Sequence, residues 1–107
     1  MTFRLNNKTW QVIEVPAKSP HLRKSNGDFA LGVCNDKEKT IYIITGLNDY
    51  MYKKVLCHEV THAAMFSYNV NLTIGQEELL AELIATYGEE IIDVTERIFT
   101  KIKSRGY

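Results

Sequence analysis

The spacing of apolar positions changes from that of strands to that of helices near residue 48. Thr9-Trp10-Gln11-Val12-Ile13-Glu14-Val15 is β-branched and aromatic and stops at Pro16, which predicts a strand. Pro16 to Gly27 holds both prolines among Ser, Asn and basic residues, the composition of an exposed loop. Phe29 to Val33 and Thr40 to Thr45 predict two more strands, joined through the polar connector Asn35-Asp36-Lys37-Glu38-Lys39. Ile41-Tyr42-Ile43-Ile44 lacks alternation, so that strand is expected to be buried on both faces.

From Asn48 or Asp49, either of which can cap, apolar residues recur at helical spacing through Tyr52, Val55, Leu56, Val60, Ala63 and Met65 to Tyr68. Asn69 to Leu72 breaks the pattern. Thr73, with Gln76 at the third position after it, forms a capping box for a second helix running to about Ser104. Its apolar stripe is Leu79, Leu80, Leu83, Ile84, Tyr87, Ile91 and Val94, and Gly88 loosens it without ending it. The predicted class is α+β: a small antiparallel sheet over residues 1–47, then an active-site helix and a second, glutamate-bearing helix over 48–107.

The length of 107 residues fits one domain, and 45% apolar with 24% charged residues is ordinary for a globular chain. Basic and acidic residues balance at 13 each, so no global field draws the chain to nucleic acid or to anionic membrane. The basic clusters at 18–24 and 97–105 are mild, and a helix C-terminus favours cations without a partner. The first residues are too polar for a signal peptide, and no apolar run approaches the roughly 20 residues of a membrane span. Cys34 and Cys57 have no metal-knuckle or redox spacing. A cytoplasmic protein with reduced thiols is the simplest expectation.

Chemistry concentrates in His58-Glu59-Val60-Thr61-His62. Two histidines four apart on a helix share a face and can present two imidazoles to one ion. Glu59 sits where its carboxylate reaches a metal-activated water without ligating the metal, the mechanical content of an HExxH motif. The spacing arises by accident in roughly one chain in a few hundred, and the apolar flanks Val55, Leu56 and Ala63 argue against a merely solvated face.

Catalytic zinc needs a third protein ligand. His21 is the one remaining histidine, and its place in the Pro-flanked loop favours an exposed residue over a ligand. On the second helix Glu78 and Glu82 lie one turn apart beside the small residues Ala81 and Ala85, where helices approach closely. That pattern places one carboxylate on the metal and the other behind a ligating histidine. Tyr50, Tyr52, Tyr68 and Tyr87 are all candidates to stabilise an oxyanion, and nothing in the sequence selects among them. Cys57 reads as a small apolar residue rather than a ligand.

Leu56 to Ala85 resembles the gluzincin metallopeptidases, in particular the minimal, phage- and mobile-element-associated ImmA/IrrE-type family. There the motif is followed by Glu-x-x-Ala-(Asp/Asn)-x-(Phe)-Ala; here the chain reads Glu78-Leu79-Leu80-Ala81-Glu82-Leu83-Ile84-Ala85. It departs at Glu82 and Ile84, and lacks the usual Leu-x-Pro after the motif. The resemblance implies Glu78 as third ligand, one Zn²⁺ per chain, and hydrolysis of a narrow protein or peptide substrate; substrate docking is expected to rest on the fold itself or on a separate recruiting partner. Two other functions compete: a phage-type zinc-fold binding or inhibitor protein without turnover, and a structural zinc site closed by His21.

Overall fold

The computed structural model describes residues 1–105. Four strands, β1 (Thr2–Leu5), β2 (Lys8–Val15), β3 (Gly32–Asn35) and β4 (Thr40–Ile44), precede two helices, α1 (Asp49–Ser67) and α2 (Ile74–Lys103). A short 3₁₀ turn, Pro20–Leu22, lies in the loop between β2 and β3. The α+β class is as the sequence predicts.

The sheet is mixed rather than antiparallel, in the order β1-β2-β4-β3. β1 and β2 form a hairpin through Asn6 and Asn7, whose positive φ angles of 50° and 63° suit the right-handed twist of the strands. β3 and β4 form a second antiparallel hairpin, while β2 and β4 run parallel, with Val12 opposite Ile41. The loop after Pro16 returns the chain across the sheet, so β3 enters against the direction of β2 and β4 turns back along it. β3 also starts later than its apolar run suggests. Phe29 is instead held by a single bridge to Arg23, and Ala30 N–H donates to Leu22 O at 2.8 Å.

β4 is covered on both faces, which explains its missing alternation. Ile41 and Ile43 are fully buried with Trp10 and Ala63 under α1. Tyr42 points the other way and packs with Val15 and Leu22 beneath the 3₁₀ turn. The end of α1 is tied to the sheet by the buried Trp10 indole, whose Nε1–H donates to Ser67 Oγ at 2.8 Å.

Both helix starts are as the sequence predicts. The Asn48 side chain accepts from Met51 N–H, and Thr73 and Gln76 form a reciprocal capping box. α2 packs chiefly on α1. Past Gly88 every described residue of α2 is exposed, so the helix projects beyond the core. No helix among the described residues is long and apolar enough to cross a membrane.

Candidate metal centre

α1 brings His58 and His62 together one turn apart, with their Nε2 atoms 3.2 Å from each other. α2 runs back along α1 and delivers Glu78 from its first turns. Glu78 Oε2 is 3.2 Å from His58 Nε2, and Oε1 is 3.0 Å from His62 Nε2. Three ligands about 2 Å from one tetrahedral ion stand ~3.3 Å apart, so these atoms have the spacing of a shared ion. His58, His62 and Glu78 are a group that can hold a metal ion, and it is the one such group among the described residues.

The outer edges of both rings face carboxylates. Glu77 Oε1 lies 2.7 Å from His62 Nδ1, and Glu82 Oε2 lies 3.5 Å from His58 Nδ1. A carboxylate at Nδ1 favours the tautomer with its proton there, which leaves the Nε2 lone pair directed at Glu78. Glu78 therefore faces the Nε2 atoms of both rings and Glu82 lies behind His58, where Lys54 Nζ also meets it at 3.5 Å. The hydroxyl of Thr86 is the largest influence holding the Glu82 carboxyl below its ordinary range, with Lys54 and His58 adding to it.

Sequence reasoning counts Glu77 among the glutamates that the second helix offers but gives it no role. It adjoins Glu78, and 100° of helical rotation would ordinarily turn one of two neighbours away. Here α1 and α2 lie close enough for both to reach His62.

Glu59 points down from α1 toward β3 and is nearly buried, at 8% exposure. Burial raises its carboxyl pKa, which the two histidines oppose and Glu78 reinforces. Close approach of α1 to β3 depends on Gly32. A Cβ there would stand 2.7 Å from Val55 Cγ1 and 3.1 Å from Glu59 Cγ. His58, Glu59, His62 and Glu78 line a cleft of about 990 Å³, walled on the far side by Phe29 and Leu31 beside the β3 edge.

His21 stands apart from this group. Its ring stacks on Tyr42 at 4.1 Å between centroids. Tyr50, Tyr52, Tyr68 and Tyr87 do not line the cleft. Tyr52 donates its hydroxyl to Glu14 at 2.9 Å.

No protein family, curated protein or solved structure matches this chain.

Proposed function

We propose that this chain is a zinc-dependent metalloendopeptidase acting on a narrow protein or peptide substrate. One observation carries the reading: two imidazole nitrogens and one carboxylate, at ligand spacing, share a cleft with a buried glutamate that follows the first histidine. Two nitrogens and an oxygen suit zinc, and three protein ligands are the number that catalytic rather than structural sites use. His58, His62 and Glu78 would hold the ion. A zinc ion bound there would supply Lewis acidity and bring the pKa of a coordinated water toward neutrality.

The remaining work falls to the chain. Glu59 accepts the proton of the attacking water and returns it to the leaving amine. Glu77 fixes the His62 ring by accepting from its Nδ1–H, while Glu82 places a negative charge beside Nδ1 of His58. β3 lies at the sheet edge along the cleft, so an extended substrate can pair with it and set its scissile carbonyl over the site. The reading agrees with the resemblance of Leu56–Ala85 to the ImmA/IrrE-type peptidases, which suggests a cytoplasmic regulator as substrate.

A zinc-fold binding protein without turnover is the second reading, and buried Glu59 disfavours it because binding alone needs no base. A structural site closed by His21 loses its fourth ligand to the stack on Tyr42.

The deciding experiment is zinc content per chain after purification, for wild type beside His58→Ala, Glu78→Ala and Glu82→Ala. The expected result is about one zinc in wild type, lost in His58→Ala and Glu78→Ala and retained in Glu82→Ala. A wild type that takes up no zinc on titration ends the reading.

A further inference from the structure

We infer that α2 is also a self-association surface, on which a second copy of this chain docks its own α2 antiparallel. The inference is independent of the peptidase reading. Leu80, Ile84, Tyr87, Ile91, Val94 and Ile98 recur at alternating spacings of four and three. That is the a/d pattern of a two-stranded seam held over about three heptads, with Ile at each a position. The seam lies on a flank of α2 turned away from the α1-facing residues Ala81 and Ala85. Beyond Ile84 it is open: Tyr87 is 54% exposed, Ile91 52% and Ile98 55%.

Charge identifies the occupant and its direction. Every acidic residue of α2, from Glu77 to Glu96, precedes Arg97, and every basic residue stands at Arg97 or after it. The helix dipole accounts for Glu77, Lys101 and Lys103 in the first and last turns, and leaves the charges from Glu78 to Arg97 without that cause. Parallel pairing would set Lys101 against Lys101 at the seam. Antiparallel pairing centred between Ile91 and Val94 packs Ile91 on Val94 and Tyr87 on Ile98 of the other copy. It also sets Glu90 beside Arg97 twice, once on each side. Arg97 already meets Asp93 of its own helix at 3.1 Å, an exposed pair worth little that can be exchanged. The exposed overlap, Tyr87 to Ile98 in each copy, is ~18 Å long.

Sedimentation velocity of the full chain between about 5 and 100 µM tests this. Wild type should be a dimer at the upper concentration. Ile91→Asp should be monomeric, with unchanged helical circular dichroism. Arg97→Glu, at an exposed position that leaves the fold intact, should weaken the dimer about tenfold, and Glu90→Arg/Arg97→Glu should restore it. A wild type that stays monomeric overturns the pairing. A dimer indifferent to Ile91→Asp overturns the seam, and a double variant no tighter than Arg97→Glu overturns the antiparallel direction.

Discussion

Glu77 Oε1 lies 2.7 Å from Nδ1 of His62, on the opposite edge of the ring from the Nε2 that faces Glu78. Two consecutive glutamates thus grip one imidazole from both sides. If Glu77 orients the ring, Glu77→Gln should weaken zinc binding ~10–100-fold while the fold persists. Competition against a chelator of known affinity measures this. Unchanged affinity would remove Glu77 from the site.

Glu59→Gln preserves volume and hydrogen bonding but removes the base. It should keep its zinc and lose ~10²–10⁴-fold in peptide hydrolysis. A Gln variant that retains the biological function would instead support a binding role without turnover.

Gly32 allows α1 to lie against β3. In Gly32→Ala the new methyl meets Val55 Cγ1 at 2.7 Å, and overpacking of this kind costs about 1–3 kcal/mol. A denaturant midpoint below that of wild type is expected. Activity should fall further than stability, because Glu59 is the second group displaced. A stable, fully active Ala variant would refute the close approach.

Ser67→Ala removes the acceptor of the buried Trp10 indole N–H. An orphaned buried donor costs about 1–3 kcal/mol, so thermal unfolding should come at least ~4 °C lower. Zinc content should not change, since neither Trp10 nor Ser67 lines the cleft.

Burial, reinforced by the negative charge of Glu59, pushes the Cys34 thiol far above its ordinary pKa. A raised pKa holds the thiol protonated through the neutral and mildly alkaline range, and only the thiolate alkylates readily. Cys34 should resist iodoacetamide at about pH 8 in the folded chain and react once the chain is unfolded in urea. Mass spectrometry of the digested protein reads this directly, and rapid native labelling at Cys34 would count against the burial.

Much of the fold is written locally. Asn48, Thr73 and Gln76 cap the helices they were expected to cap, because capping is a matter of a few adjacent residues. The His58/His62 face is likewise a consequence of helical spacing. The parallel pairing of β2 with β4 is not local: it depends on how the loop after Pro16 crosses the sheet, which no short pattern encodes. β1 escaped notice because Phe3 and Leu5 alternate with polar residues over only four positions. Between Glu78 and Glu82 the sequence could only rank the candidates. The crossing of α1 and α2 decides which carboxylate meets the Nε2 atoms, and the same crossing brings in Glu77.

The far half of α2 is uncoupled from the core beneath the sheet. Past Gly88 every described side chain is exposed, and the links to α1 include the ion pair of Lys53 with Glu89. Substitutions there leave the interior unstrained, so sequence in that stretch is free to drift except where something outside the chain constrains it. A saturation library would separate the two regimes: intolerance in α1 and β4 would report folding, and intolerance confined to one stripe of α2 would trace an encounter.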